Sequence, residues 1–311
     1  MKKYIWNILL ATVILCVLES CDRENPLDRE QYMKQVYMVG AYDGIMPFSV
    51  TYNDEQQEAY VSVAISGTML PDHDVKVTLK HSNDAIQAYN NKYMLDNAPV
   101  KYQKLADAHY SMPTMSGIIK ANEVYARIPF SVMTEGLHCD SLYALGFEIE
   151  SADYPSNELT PTLILNIQLD NDYSGNYELA ARKSTVTLVS EDPEEVMLSE
   201  TSTVSATRIV KAVDEKSIRI FHEAQPESRS GYDSNEKYWE GLKNYGVVFT
   251  QINETNEFEI MNWYKYSTNG EKTDGLNIIA SKATYEGNTF TFWYDFMESN
   301  KRKRVYGTLT K

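Results

Sequence analysis

Residues 58–66 read Glu58-Ala59-Tyr60-Val61-Ser62-Val63-Ala64-Ile65-Ser66, with a small or branched apolar side chain at every second position. Successive side chains of a β-strand point to opposite faces, so this alternation predicts a strand with one buried face. Residues 75–80, 124–132 and 143–150 are strand-like too. About seven such strands, separated by turn residues, predict an immunoglobulin-like β-sandwich over residues 35–169.

Turn-forming residues cluster at residues 170–175 and divide the chain into two predicted domains. Antiparallel strands joined by hairpins leave exposed edges unless their sheet closes. Residues 170–311 are therefore predicted to form an antiparallel β-barrel or a closed β-sandwich. The longest irregular stretch, residues 222–244, is predicted to be a functional loop, since loops of that length are uncommon. The eight predicted strands of this half are residues 185–189, 205–213, 217–221, 246–252, 257–266, 276–285, 289–297 and 305–309.

The N-terminus has the features of an export signal. Two lysines precede an uncharged apolar run, residues 8–18, which is too short to cross a bilayer as a helix. The run ends at Leu18-Glu19-Ser20-Cys21, which resembles the bacterial lipobox, in which the cysteine is acylated. Residues 1–20 are therefore predicted to be a lipoprotein signal peptide, Cys21 the lipidated residue, and residues 21–34 a flexible tether. The alternative is an ordinary secretory signal with an incidental cysteine.

Charge and cysteine content exclude several classes of function. The chain has 29 basic and 44 acidic side chains and a formal net charge of −15. Such a surface repels polyanions, so nucleic acid is not an expected partner. Cys139 is the one thiol left after removal of the signal and acylation of Cys21, so no internal disulfide is expected. Cys139 is predicted to be a buried structural thiol, because its neighbour His138 would point to the opposite face of a strand.

Motifs of catalytic chemistry are absent from the sequence. It contains no Gly-x-Ser-x-Gly elbow, no His-x-x-x-His spacing and no Asp-x-x-Asp-x-Asp-x-Glu run of the kind found in family-eighteen glycosidases. Any two of the 44 acidic residues could in principle be the catalytic carboxyl pair of a glycosidase, so the number of acidic residues does not distinguish a glycosidase from a protein without activity. The chain is expected to have no catalytic residues, no metal site and no cofactor.

Aromatic residues of the second half provide the candidate ligand contacts. Tyrosine and tryptophan rings stack on the apolar faces of sugars, and their polar atoms bind hydroxyl groups. In residues 289–296 the alternation places Phe290, Phe292, Tyr294 and Phe296 in the core and the remaining side chains outside. The alternative is that the aromatic residues pack in the core or against neighbouring strands. The candidate sugar contacts are Trp239, Trp263, Trp293, Tyr232, Tyr238 and Asp295.

Two sets of motifs resemble known modules, which together cover nearly all of the mature chain. Residues 74–79, Ala88-Tyr89-Asn90, Met112-Pro113 and Ala152-Asp153-Tyr154-Pro155 resemble an N-terminal module of Bacteroidota lipoproteins that was long of unknown function. That module also precedes the catalytic domain of some family-eighteen glycosidases. Residues 173–177 and 305–309 resemble a second uncharacterised module that often follows it.

The resemblance implies a non-catalytic surface lipoprotein of a polysaccharide-utilisation locus, which captures an oligosaccharide or polysaccharide. Residues 22–25 are similar to the tags that send such lipoproteins to the outer face of the outer membrane. The expected partners are a glycan and a neighbouring outer-membrane transporter or glycosidase, and the lipid is the only expected membrane contact. Two alternatives are a structural or adhesin-like protein that binds another protein, and a glycosidase of unfamiliar type.

Overall fold

The computed structural model describes residues 29–311 apart from residues 43, 54, 99, 229, 230 and 273. The predicted signal peptide, Cys21 and the first part of the predicted tether lie outside the described residues. Within them, no helix is both long enough and apolar enough to span a membrane.

Ten strands form the N-terminal half of the described chain, in two sheets. One sheet has the order β1-β3-β8-β6, and the other has the order β2-β10-β9-β4-β7, with β5 added to β9. Side chains from both sheets share one hydrophobic core, so the predicted β-sandwich is confirmed. The strands are β1 (Val36–Met38), β2 (Met46–Thr51), β3 (Gln57–Ile65), β4 (Val75–His81), β5 (Tyr102–Lys104), β6 (Tyr110–Ser111), β7 (Ser116–Ile119), β8 (Tyr125–Val132), β9 (Leu142–Ala152) and β10 (Thr162–Asp170).

One helix, α1 (Asn83–Tyr93), covers the outer face of the sheet that contains β9 and β10. The Ser82 side chain caps it by accepting a hydrogen bond from the backbone N–H of Ala85, at 3.2 Å. Ala85 and Ile86 pack against side chains of β9 and β10. No described helix covers the outer face of the other sheet, where Tyr60 and Tyr125 are about half exposed.

The last eight strands form a closed antiparallel barrel in sequence order, in which β18 pairs with β11. The all-β prediction is therefore confirmed, and of its two forms for this half the structure shows the barrel. The barrel core contains the four predicted aromatic residues of the stretch 289–296. The strands are β11 (Gly175–Leu188), β12 (Val196–Ala212), β13 (Ser217–Phe221), β14 (Gly246–Gln251), β15 (Glu257–Asn262), β16 (Ile278–Glu286), β17 (Thr289–Glu298) and β18 (Lys301–Thr310).

Two glycines have clear backbone roles in the barrel. Gly287 and Asn288 both have positive φ, +54° and +65°, and form the two-residue hairpin that joins β16 to β17. Gly307 has φ +155°, and a Cβ atom there would lie 2.3 Å from the carbonyl oxygen of Ala180 on β11. A side chain at residue 307 would therefore disturb the strand pair that closes the barrel.

Two helices of the barrel half lie where the sequence predicted otherwise, one in a predicted strand and the other in a predicted loop. The predicted strand 257–266 ends at Asn262, whose side chain accepts a hydrogen bond from Lys265 N and caps the short helix α3 (Trp263–Ser267). The predicted loop 222–244 contains α2 (Asn235–Tyr245), which Ser234 caps. Both predictions were wrong because a capping side chain starts a helix where the alternation or composition indicated none.

Candidate functional site

A cleft lies between the sandwich and the barrel, with a volume of about 640 Å³. The sandwich contributes the end of β2 and the loop between β8 and β9. The barrel contributes the turn between β12 and β13 and the end of β14. We call this the interdomain cleft, and it is lined by Tyr52, Asn53, Glu135, Gly136, Leu137, His138, Val213, Asp214, Glu215, Lys216, Ser217, Thr250 and Gln251.

Hydrogen bonds fix the sandwich wall of the interdomain cleft. The Tyr52 hydroxyl donates to the carbonyl oxygen of Leu137 at 2.6 Å. The Thr134 hydroxyl donates to the Asn53 carbonyl at 3.0 Å and accepts from the Asn53 backbone N–H at 3.2 Å. Burial, the largest effect, raises the pKa of Tyr52, so its hydroxyl stays protonated and this wall is neutral at Tyr52.

The barrel wall is fixed in the same way. The Asp214 carboxylate accepts hydrogen bonds from the Tyr266 hydroxyl and from the backbone N–H of Lys216, the latter at 2.8 Å. The hydroxyls of Ser217 and Thr250 lie 3.0 Å apart. Asp214, Ser217 and Thr250 are therefore held in place by bonds within the protein, which reduces the entropy that they lose on binding a ligand.

The chemistry of the lining suits a ligand rich in hydroxyl groups. Three carboxylates, Glu135, Asp214 and Glu215, accept hydrogen bonds, while the amides of Asn53 and Gln251 both donate and accept. The exposed ring of His138 adds flat surface, whereas the Tyr52 ring is buried within the cleft wall. The carboxylates make the cleft unfavourable for an anion, so a neutral polar ligand fits best.

Next to the cleft, a buried ion pair joins the two halves of the chain. The guanidinium of Arg219, on β13, binds both carboxylate oxygens of Asp140, which lies in the loop before β9. Lys211 is 3.1 Å from the same carboxylate. Burial alone would raise the pKa of Asp140, but Arg219 and Lys211 hold it well below its ordinary value. The carboxylate is therefore charged at neutral pH.

Trp263 belongs to this interface and not to an open platform. Only 8% of its surface is exposed, and its ring lies 4.8 Å from the guanidinium of Arg219. The ring of His138 meets it edge-on at 5.7 Å. The prediction that Trp263 is an accessible sugar contact on the strand 257–266 was wrong, because Asn262 starts a helix there and the ring is buried.

His138, Cys139 and Asp140 could be suspected of binding a metal ion, since their ligand atoms lie within 4.8 Å of one another. The reasoning that His138 and Cys139 occupy opposite faces of a strand was wrong, because both lie in a loop. Arg219 and Lys211 already neutralise Asp140, and their positive charges oppose a metal ion. Burial raises the pKa of the Cys139 thiol, so it is protonated and a poor ligand or nucleophile. The cluster is therefore part of the interface.

The remaining predicted contacts occupy two other places. Tyr238 is buried, with 8% of its surface exposed, and packs on the barrel with Phe221 and the partly buried Tyr232. Trp239, on α2, is 40% exposed. The structure thus brings Tyr232, Tyr238 and Trp239 together at α2 and leaves Trp239 as the accessible ring.

Trp293 and Asp295 face outward from β17 as predicted, but other side chains cover them. The guanidinium of Arg304 lies 4.0 Å from the centre of the Trp293 ring. Asp295 has no exposed surface and pairs with Arg302 and Arg304, at 2.7 and 2.6 Å. The prediction that Asp295 contacts a ligand is therefore wrong. Its carboxylate oxygens already bind Arg302 and Arg304, and the separation of these residues along the chain does not show that their side chains meet.

None of the six predicted contact residues lines the interdomain cleft. Its walls come from turns more than 70 residues apart in the chain, for example Glu135 and Asp214. No periodicity links such turns, so the sequence alone gave no signal that they form one site.

A second cluster of ionisable groups connects β11 and β17 with the residues that follow β13. His222 lies 2.6 Å from the Tyr294 hydroxyl and 2.6 Å from Glu223, which pairs with Lys183 at 2.8 Å. Burial alone would raise the pKa of Glu223, but His222 and Lys183 lower it to about 2. His222 and Tyr294 are almost completely buried, so this cluster stabilises the barrel and offers no accessible reactive group.

Comparisons with solved structures agree on the whole architecture. A multidomain protein including DUF1735 from Bacteroides ovatus has a TM-score of 0.60 at 15% identity, covering 90% of this chain and 94% of that one. A protein of unknown function from the same species has a TM-score of 0.57 at 15% identity, covering 88% and 90%. An auxiliary nutrient binding protein from Bacteroides thetaiotaomicron has a TM-score of 0.56 at 17% identity, covering 87% and 92%. At these identities the likeness shows the fold.

Family models account for the sequence. No curated protein matches it. A model of an N-terminal domain matches residues 32–156, and a model of a C-terminal domain matches residues 161–310. The two matches cover both the sandwich and the barrel, so the chain contains the N-terminal domain that the first model describes followed by the C-terminal domain that the second describes.

Proposed function

We propose that this protein is a non-catalytic, surface-attached lipoprotein that captures a neutral oligosaccharide or polysaccharide in the interdomain cleft. The observation that carries the proposal is the lining of that cleft, where three carboxylates, two side-chain amides and several hydroxyls accompany the exposed ring of His138. Sugars need this combination, because their hydroxyl groups exchange water for protein hydrogen bonds and their C–H faces pack on rings.

The fold supports a binding role. The barrel and sandwich share the fold of a protein described as an auxiliary nutrient binding protein, and this shared fold supports the proposal of a binding role. A glycosidase of the usual kind needs a carboxyl group with a raised pKa as general acid. Among the described residues, each carboxyl group with a displaced pKa has it lowered, which is the opposite of what a general acid needs.

Attachment through Cys21 would place this cleft outside the cell. We propose the outer face of the outer membrane as the location, and a neighbouring transporter or glycosidase as the protein that receives the captured glycan. The predicted lipobox and the following acidic residues, 22–25, support this part of the proposal.

A glycan array followed by calorimetry tests the proposal. The purified protein should bind at least one neutral glycan. Glu135→Ala and Glu215→Ala should each weaken that binding about tenfold, since each removes a charged acceptor worth ~1.4 kcal/mol. Both side chains are exposed, so the fold should be unaffected.

Glu259→Ala is the matched control, because Glu259 is exposed on β15 and does not line the cleft. It should bind like the wild type. If no neutral glycan binds, or if Trp239→Ala abolishes binding while both cleft variants retain it, the cleft is not the site.

A further inference from the structure

Two tyrosines and one arginine form an exposed group on the outer face of the sheet β1-β3-β8-β6. Tyr60 on β3 and Tyr125 on β8 are each 48% exposed. The guanidinium of Arg127, also on β8, lies 5.6 Å from the Tyr60 ring centre and 5.7 Å from that of Tyr125. We call these residues the Tyr60–Arg127–Tyr125 platform. A depression of about 550 Å³ adjoins it, lined by Ile118 and residues 122–127.

The strand register explains why these three side chains are accessible. Across the β3–β8 pair, Ser62 lies opposite Arg127 and Ala64 lies opposite Tyr125. Both opposing side chains are small, so they leave room around the guanidinium and the ring. The intervening β3 residues Val61 and Val63 point into the sandwich core. The platform is therefore made by one face of a rigid strand pair.

The polar groups of the platform have no partners within the described chain. Arg127 has no carboxylate within ion-pair distance, and the hydroxyls of Tyr60 and Tyr125 make no internal hydrogen bond. What distinguishes Arg127 is that its guanidinium lies beside two exposed tyrosine rings. A guanidinium beside aromatic rings keeps N–H groups free, and these match a carboxylate with two parallel hydrogen bonds.

We propose that the Tyr60–Arg127–Tyr125 platform is a second binding site, which takes an oligosaccharide with a single carboxylate, such as a neutral chain that ends in one uronic acid. Arg127 binds the carboxylate, and the two tyrosine rings pack on the C–H faces of the sugar units on either side. An acidic peptide shares the carboxylate but lacks flat apolar faces for the two rings, so the saccharide fits better. This site is separate from the interdomain cleft, whose carboxylates oppose an anion, and it does not depend on the function proposed there.

Calorimetry at neutral pH tests the second site with two probes, each a tetrasaccharide of three neutral sugar units and one terminal uronic acid, which is galacturonate in one and glucuronate in the other. At least one of them should bind the purified protein. Arg127→Gln should weaken that binding at least tenfold, and the methyl ester of the same tetrasaccharide should lose a similar factor, because each change removes the charge pair. Tyr60→Ala and Tyr125→Ala should each weaken binding about fivefold.

Three comparisons make the test specific. Arg182→Gln removes an exposed arginine from β11, outside the platform, and should leave binding unchanged. Glu123→Gln removes a carboxylate from the adjoining depression and should tighten binding of the uronate. Glu215→Ala, in the cleft, should have no effect, which separates this site from the proposed cleft. The proposal is overturned if neither uronate binds, if Arg127→Gln binds like the wild type, or if tetraglutamate binds as tightly as the uronate.

Discussion

Replacing Asp140 with asparagine should destabilise the whole chain, because it leaves Arg219 charged and buried at the junction of sandwich and barrel. Only 2% of the Arg219 side chain and 5% of the Asp140 side chain are exposed. Removing one partner of a buried ion pair costs ~3–5 kcal/mol, and the asparagine oxygen can still accept one hydrogen bond. We therefore expect a loss of about 3 kcal/mol in the free energy of unfolding, measured by urea denaturation at pH 7.

The pH dependence of this loss gives a second check. The folded pKa of Asp140 is below its unfolded value of ~3.9, so its stabilising effect is present above that value and declines as the pH falls toward the folded pKa. The difference between wild type and variant should be complete at pH 6–7 and smaller by ~1 kcal/mol at pH 3.

Glu254→Gln is the matched control for Asp140→Asn. Glu254 forms a 3.3 Å ion pair with Lys216, but its side chain is 81% exposed. An exposed pair contributes at most ~0.5–1 kcal/mol, so this variant should unfold nearly like the wild type. The reasoning fails if Asp140→Asn costs less than ~1 kcal/mol, or if its cost is the same at pH 3 and pH 7.

Three further outcomes are expected. Trp263→Ala should cost ~3–5 kcal/mol in unfolding free energy while Trp239→Ala costs ~0.5 kcal/mol or less, and equal costs in urea melts would contradict the assigned burial. A fragment from Asn171 to the C-terminus should unfold in one cooperative calorimetric transition below that of the complete chain, because its Arg219 lacks Asp140; an unfolded fragment would show that the halves share one core. Cys21→Ala should abolish lipid labelling and release the protein from the membrane fraction, and a variant that still sediments with membranes would refute lipidation.

Local patterns predicted those parts of the fold that depend on local sequence. The alternation in residues 289–296 identified the core face of β17, because each inward side chain is aromatic and meets the barrel interior. The same kind of alternation failed at Trp263, because the capping side chain of Asn262 starts a helix over the last four residues of the predicted strand, 263–266. Alternation is a property of several consecutive residues, whereas the start of a helix can depend on the side chain of a single capping residue.

Long-range partners could not be predicted from a single sequence. The sequence predicts an exposed carboxylate at Asp295, whereas in the structure Arg304, on the next strand, donates hydrogen bonds to it. Asp140 and Arg219 are 79 residues apart, and their pairing follows from how the barrel sits on the sandwich. The walls of the interdomain cleft depend on the same placement. Residue types alone do not specify how the barrel sits on the sandwich, so the residues that line the interdomain cleft could not be identified from the sequence.

The pairing of β11 with β18 sets the order in which the molecule can mature. The register joins Glu178 to Thr310, so the first strand of the barrel finds its partner only when the last residues have been synthesised. Until then β11 presents an unpaired edge, whereas every strand of the sandwich is already complete and can fold first. A chain that stops before Lys301 would retain seven of the eight strands as an open sheet with two free edges, which is a starting point for aggregation.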